Sequence, residues 1–246
     1  MRVRRTPGPV HAEDCVASPI EPDPERLRDS FFSDIRWLTL GVVHGERWRI
    51  AVGPLTLHKF GDPEATGRGW SWRIGRGLLG ARPGGTLSYE WSQGQLKATV
   101  DGYWPALPRP IYRLTQLPLH HLVTRLFLLQ LRGRVPPPGI PGGPAQRLAA
   151  AAMDLSLCAA ASLLLGRRRG WKALAPVVAG YHLAAWSLAG QTLGGKVLGL
   201  RVVSVDGGSV IPAQALVRLL ALPASLVRLK AVHDRLALTE VIEAGS

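Results

Sequence analysis

The chain has 246 residues, 46% of them hydrophobic, and a formal net charge of +13 from 30 Lys+Arg against 17 Asp+Glu. That length exceeds the usual single domain of roughly 100 to 200 residues, so two units are expected. Such a charge suits nucleic acid, anionic lipid or a solvated surface, but the basic residues are spread singly, as in Arg68, Arg73, Arg76 and Arg82, with no nucleic-acid motif, so no nucleic-acid partner is expected. Two cysteines, Cys15 and Cys158, provide neither a disulfide framework nor a metal knuckle.

Residues 1–143 carry a charge of +7 and residues 144–246 one of +6, yet only the second stretch gathers its apolar residues into long runs. The 25 Arg against 5 Lys, with abundant Ala, Gly and Pro, suggest a GC-rich bacterial genome. Met1-Arg-Val-Arg-Arg5 is not followed by an apolar stretch, so no secretory signal is read.

Residues 1–29 hold scattered prolines and 6 acidic against 5 basic residues, and they read as a disordered leader. Residues 30–134 read as a soluble α+β domain. Its short segments Arg36–Val43, Trp48–Val52, Leu55–Phe60, Gly69–Ile74, Thr86–Trp91 and Gln95–Val100 are rich in β-formers and are broken by Gly, Pro and Asp. The clearest hairpin alternates Leu87, Tyr89 and Trp91 with polar neighbours before Ser92-Gln-Gly94, as a half-buried antiparallel strand requires. Gly75-Arg-Gly77-Leu-Leu-Gly80 fits GxGxxG, but Ala-Arg-Pro-Gly-Gly follows it instead of a helix, so it reads as a turn. Pro110–Gln130 reads as an amphipathic helix across the sheet, opened by Pro110 and kinked or split at Pro118.

Residues 135–146, with Val135-Pro-Pro-Pro-Gly-Ile-Pro-Gly-Gly-Pro144, read as a semi-extended linker. Two runs of membrane length follow. Leu148–Leu165 contains one charge, Asp154, and Ala173–Gly190 contains none. At 18 residues each is about 27 Å as a helix, close to a bilayer core of roughly 30 Å. Trp171, Trp186 and the Arg167–Arg169 cluster fit membrane anchors better than the core of a soluble bundle.

Val202–Val205, Asp206-Gly-Gly208 and Ser209–Ile211 then have the shape of a short β-hairpin. In the next helix, Ala213–Val232, Gln214, Arg218, Ser225 and Arg228 form one stripe and leucines and valines cover the rest. This reads as a helix lying in the interface with its Arg side outward, rather than a third crossing. The expected architecture is therefore α+β: an N-terminal antiparallel β-rich soluble domain with an amphipathic helix, then an α-helical membrane hairpin and an interfacial amphipathic helix.

Three stretches now match a known pattern. Arg147, Ala150 and Asp154 give Arg-x-x-Ala-x-x-x-Asp at the start of the first span. Thr192-Leu-Gly-Gly-Lys196-Val-Leu-Gly-Leu-Arg201-Val-Val203 follows the second span, and His233-Asp-Arg-Leu-Ala-Leu-Thr239 closes the chain. Residues 147–242 resemble the RDD family of small bacterial membrane proteins, named for one Arg and two Asp. Two departures stand out: Leu238 occupies a position where the family usually has Gly, and the stretch between Arg218 and His233 is too short for the usual further span. The resemblance implies a multi-pass protein of the bacterial plasma membrane; some members of the family are credited with sodium/proton antiport.

An ionisable residue inside a span is costly, so Asp154 is a functional candidate. Arg147 lies two turns away on the same face, whereas His182 in the second span is expected at similar depth. An Asp154–His182 pair can relay a proton, bind a cation, or serve as a polar bridge between helices. His233 and Asp234 follow the interfacial helix, and Asp234 is expected to cap or to pair with Lys196 or Arg201. His44, His58, His120 and His121 lack metal-ligand spacing, so no metal, cofactor or catalytic residue is expected.

Three functions compete. The pattern favours a non-catalytic binding or scaffold protein whose hairpin tethers a cytosolic domain to a bilayer with anionic headgroups. The alternative is a small oligomeric cation or proton transport component using Asp154. An enzyme has no motif behind it. Two spans bring the chain back to one side, and Arg132, Arg134, Arg147, Lys196 and Arg201 place that side in the cytoplasm together with the N-terminal domain and whatever it binds.

Overall fold

The computed structural model describes residues 9–165, 170–228 and 231–245. Two units divide the chain, Met1–Gly133 and Arg134–Ser246. The expected loop cluster Arg167–Arg169 lies outside the described residues.

The first unit begins by overturning the expected leader. Strand β1 (Val10–Ala17) pairs antiparallel along β8 (Gln95–Tyr103), from Val10 opposite Tyr103 to Ala17 opposite Gln95. The reason is local as well as distant: Ala12 and Val16 turn inward and are 2% and 3% exposed, while Glu13 pairs with Lys97 at 2.9 Å. The Glu21-Pro-Asp-Pro-Glu25 stretch is likewise a helix start. Asp23 is the N-cap of α1 (Pro24–Leu38), its carboxylate accepts from the Arg26 amide at 3.0 Å, and Pro24 sits in the first turn, where it forfeits no intrahelical bond. The predicted strand Arg36–Val43 accordingly falls at the end of α1, whose last carbonyls are taken up by Thr39.

The main sheet has five strands in the order β1-β8-β7-β6-β5, with β5 (Glu64–Thr66), β6 (Gly69–Arg73) and β7 (Thr86–Ser92). The hairpin β7–β8 turns on Gln93 and Gly94, both at positive φ, which suits the twist of the flanking strands. A three-stranded sheet of β2 (His44–Glu46), β3 (Arg49–Val52) and β4 (Leu55–Lys59) completes the β structure of this unit. The GxGxxG stretch is indeed a turn: Gly77 bridges Gly80, and a Cβ at Gly77 would run into the Leu57 carbonyl.

The predicted helix is two: α2 (Arg109–Leu114) and α3 (Gln116–Arg132), separated at Thr115. Pro118 therefore lies in the first turn of α3 and breaks nothing. Helices α1 and α3 cover the sheet through an aromatic core. Phe31 meets Phe127 edge-on at 5.2 Å, Phe32 meets Trp72 at 5.9 Å, and Trp72 meets Tyr89 at 5.7 Å between ring centroids. Trp72, Phe127, Leu96, Leu128 and Leu129 are all 0% exposed, so they carry the burial that holds this unit together.

In the second unit the expected linker is partly built into the fold. Pro141 bridges Ile242, and the Gly142 and Glu243 amides donate to Val241 and Ile140 carbonyls, so the segment runs along β10 (Thr239–Glu243). On its other edge β10 pairs antiparallel with β9 (Leu200–Ser204). This corrects the expected hairpin: the partner of Val202–Ser204 is Thr239–Val241, 35 or more residues on, and Ser209–Ile211 forms no strand.

Helix α4 (Pro144–Leu165) is followed by α5 (Gly170–Ala184), which ends in a π-turn (Ala185–Ala189) stopped by Gly190 at positive φ. Among the described residues one helix, Pro144–Leu164, is long and apolar enough to cross a membrane. Only 22% of its most apolar window is buried, whereas a helix at the core of a soluble protein would be mostly covered. The second expected span is shorter as an α-helix than the predicted Ala173–Gly190. After α6 (Leu193–Val197) and the β9 strand come α7 (Pro212–Arg228) and α8 (Val232–Ala237). A small core of Ala150, Trp186, Leu200, Val202, Val210, Ala215 and Val241 joins these elements.

If β1 is part of the sheet, hydrogen exchange followed by mass spectrometry on the full chain should show the amides of residues 10–17 protected like those of β7. Exchange at the rate of an unstructured peptide would return this segment to a leader.

Candidate functional site

The polar residues of the second unit gather into two clusters, one around Asp234 and one around Asp154. Asp234 opens α8 and is 1% exposed. Its Oδ1 accepts from Arg218 Nη1 and, at 3.0 Å, from Thr239 Oγ1, while Arg147 Nη1 reaches Oδ2 at 3.4 Å. Arg218 also donates to Thr239 Oγ1 at 2.9 Å and lies over the Trp186 ring, 4.8 Å from its centroid. A carboxylate withdrawn this far from water needs its lone pairs filled by ionised or fixed donors, and two guanidiniums and a hydroxyl supply them.

Around this pair the backbone is tied in. Arg147 donates to the carbonyls of Gly142 at 3.0 Å and Val241 at 2.9 Å. Arg134 donates to the carbonyls of Asp234 at 3.1 Å and Thr239 at 3.0 Å, and its third contact is the Glu240 carboxylate. Three guanidiniums thus face two carboxylates. Burial, followed by repulsion from Arg218 and Arg147, holds the His233 imidazole down at about 4. It stays neutral at pH 7, with Nδ1 2.7 Å from Ser225 Oγ and Nε2 3.5 Å from Asp234 Oδ2.

This arrangement reverses the expected orientation of α7. Gln214, Arg218 and Ser225 point into the unit and are 1%, 5% and 9% exposed, while Leu216, Leu220 and Val227 are 46%, 71% and 85% exposed. Gln214 fills its place by donating to Ser204 Oγ and to the Ala237 and Leu238 carbonyls, and by accepting from the Ile211 amide. Three of the four residues of the polar stripe face inward, and Arg228, the last of them, is exposed.

The second cluster replaces the expected Asp154–His182 pair. Asp154 Oδ1 accepts from the Tyr181 hydroxyl at 2.7 Å and from the Gly194 amide at 2.8 Å. Tyr181 in turn accepts from the Leu193 amide at 2.7 Å, and Thr192 Oγ1 from Gly195 at 3.1 Å. Asp154, Tyr181 and Thr192 therefore satisfy three successive amides that open α6, where the helix has no internal acceptors. Gly194 is obligatory at this approach because a Cβ would run into the Ala150 carbonyl. His182 turns elsewhere: its Nδ1 meets the Val178 carbonyl at 2.9 Å and its ring lies edge-on between Tyr181 and Trp186.

Among the expected site residues, the structure brings together Arg147, His233 and Asp234, and places Asp154 in a separate polar cap. Lys196 and Arg201 are exposed, and the partners of Asp234 are Arg218 and Arg147 instead. Tyr181, Arg134 and Glu240 were missed because a tyrosine in an apolar run and charges beside a Pro/Gly stretch carry no local pattern.

The RDD family model matches residues 170–237. The C-terminal part of the chain carries an RDD family domain. No curated protein matches the chain, and no solved structure does. The matched RDD stretch holds Arg218, His233 and Asp234; Arg147 and Asp154 lie just before it and complete the two clusters. Leu238, where the RDD pattern usually has Gly, adopts φ 53° and ψ 47°, a left-handed conformation that costs a branched residue roughly 1 to 2 kcal/mol. A Gly at this place would make the turn between α8 and β10 without that cost.

Asp234→Asn should destabilise the protein by about 3 to 5 kcal/mol, since it leaves buried guanidiniums without a counter-charge. Adding Arg218→Met should recover much of that loss, read as the melting temperature in detergent micelles. Equal melting of wild type and Asp234→Asn would remove the cluster from the stability of this unit.

The unfolded chain takes up a proton on His233 near its ordinary value of about 6.5, whereas the folded form resists until about 4. The unfolded state thus binds more protons inside that window. Stability is full above pH 6.5 and falls as pH drops toward 4, by up to about 1.4 kcal/mol per pH unit for one proton. His233→Gln should flatten the pH dependence of denaturant midpoints between pH 6.5 and 5 by that one proton; an unchanged slope would contradict the burial of a neutral imidazole.

Proposed function

We propose that this chain is a membrane-anchored binding protein, in which the RDD-type domain holds the first unit at the bilayer surface. The observation that carries this reading is the inverted helix α7. A helix that buries Gln214, Arg218 and Ser225 while exposing Leu216, Leu220 and Val227 is poorly suited to water but well suited to hydrocarbon. Helix α4 supports the same medium, with Leu148, Leu155, Leu163 and Leu164 between 53% and 85% exposed.

In this reading α4 and α5 with its π-turn form a hairpin in the membrane, and α7 lies against it. Both termini and the first unit are on the cytoplasmic side of a bacterial plasma membrane. Anionic headgroups meet the basic residues that flank the spans, in line with the positive-inside rule.

The role of Asp154 separates anchoring from transport. Its Oδ1 is occupied by two donors that fix the entry of α6, which favours a capping role over an exchangeable proton or cation site. Asn keeps a carbonyl oxygen for both donors and loses only the charge.

The test uses the full chain in two steps. The protein should stay in the pellet after alkaline carbonate washing of membranes; release into the supernatant would refute the anchor. In proteoliposomes, wild type and Asp154→Asn should show the same sodium and proton leak as empty vesicles. A flux that appears with wild type and vanishes with Asp154→Asn would replace anchoring by transport.

A further inference from the structure

The first unit contains a cavity of about 170 Å³ between α1, the strands β3, β4, β7 and β8, and helices α2 and α3. Its walls are mainly aliphatic and aromatic, with Phe31, Ile35, Leu57, Leu87 and Val100 among them. An enclosed apolar space of comparable size, about 150 Å³, takes a benzene-sized molecule.

One end of this cavity is polar, and its polarity has a definite sense. Tyr103 donates its hydroxyl proton to the Leu79 carbonyl, so its oxygen faces the two other neighbours as an acceptor. Gln116 Nε2 donates to it at 2.9 Å, and His58 Nε2 approaches it at 3.4 Å. Those bonds assign the remaining atoms: the Gln116 amide turns its Oε1 away from Tyr103, and His58 carries its proton on Nε2 and leaves Nδ1 as an acceptor. Burial holds His58 down at about 4, so the ring is neutral at pH 7. Gln116 Oε1 and His58 Nδ1 are both buried and have no hydrogen-bond partner among the described residues.

Two orphaned acceptors flanking one hydroxyl are costly, on the order of 1 to 3 kcal/mol each, unless a donor reaches them. None of the residues lining the cavity is Lys, Arg, Asp or Glu. A carboxylate head would meet acceptors and no counter-charge; an ammonium would be stripped of water in an apolar chamber.

We propose that the first unit binds a small, neutral, mostly apolar molecule bearing a hydroxyl or similar donor, with its hydrocarbon part in the cavity and its donor at the polar end, where a turn of the Gln116 amide or the His58 ring opens Oε1 or Nδ1 to it. This names the ligand class for the binding role proposed above, and it does not depend on membrane anchoring, because the test below reads occupancy alone. Alcohols are taken, the matching acids are refused, and the matching hydrocarbons bind more weakly for lack of a donor.

The chain has four tyrosines, and this makes the test direct. Tyr89, Tyr103 and Tyr112 line the cavity, while Tyr181 belongs to the second unit and serves as a control. The full-length protein is labelled with 3-fluorotyrosine in detergent micelles and titrated at pH 7.5 with benzyl alcohol, toluene or benzoate, with fluorine NMR as readout. Benzyl alcohol should move the three cavity resonances saturably and leave Tyr181 still, toluene should bind more weakly, and benzoate should produce no saturable shift. Gln116→Leu should lower the affinity for benzyl alcohol by about tenfold, the loss of roughly one hydrogen bond, and leave toluene unchanged. Benzoate binding as tightly as the alcohol would overturn the proposal. So would a cavity in which no resonance moves, as a water-filled space would give, or movement of all four tyrosines together, the mark of solvent partition. Because the shifts report binding without reference to lipid, a chain released by carbonate can still pass this test, and an anchored one can fail it.

Discussion

A single carboxylate organises the second unit. Asp234 sits at the junction of α4, α7, α8 and β10, and it is reached by a guanidinium from each of the two longer helices. Its environment excludes water, so removing one guanidinium leaves the carboxylate under-compensated, and removing the carboxylate leaves Arg218 without its counter-charge. The elements around it could pack by apolar contact in several registers. The requirement to bring Arg147, Arg218 and Thr239 to the same two oxygens selects one of them. The inversion of α7 follows from this, because a helix whose arginine must reach an internal carboxylate has to show its leucines to the outside.

The first unit solves its packing differently. Its core is a mesh of tilted and edge-on rings from α1, α3 and the middle strands, with little polar content. The cavity lies where the β2-β3-β4 sheet, the main sheet and α2–α3 meet. The space is a by-product of the architecture, whereas the Tyr103-centred group of acceptors at its end is a feature of sequence.

What was legible in the sequence was what is local. Alternation over Thr86–Trp91 and the Gln-Gly turn identify the β7–β8 hairpin because both its strands and its turn lie within a few residues. Strand β1 escapes such a reading: its partners in β8 lie 78 to 93 residues away, and its own composition is polar enough for an edge. The helix start at Asp23-Pro24 reads as disorder from sequence because prolines and acids serve both. In α7 the amphipathic pattern separates two faces but carries no sign. Only the distant Asp234 tells which face turns inward. Asp154 was recognised as a special residue, yet its partners, a tyrosine hydroxyl and a glycine amide, leave no spacing to find.

The strip of chain that follows Gly133 does more than connect. Arg134 is clamped on Thr239 and Glu240, and residues 140–142 then run along β10 as a further partner for its free edge. Tension carried along the chain into Arg134 would therefore meet the β9–β10 ribbon before it met α4. The bonds between Ile140, Gly142 and β10 lie across the run of this segment, so tension along it would have to shear them together instead of opening them one by one. Such an arrangement would act as a strain relief does for a cable, with the ribbon loaded ahead of the helices beyond it.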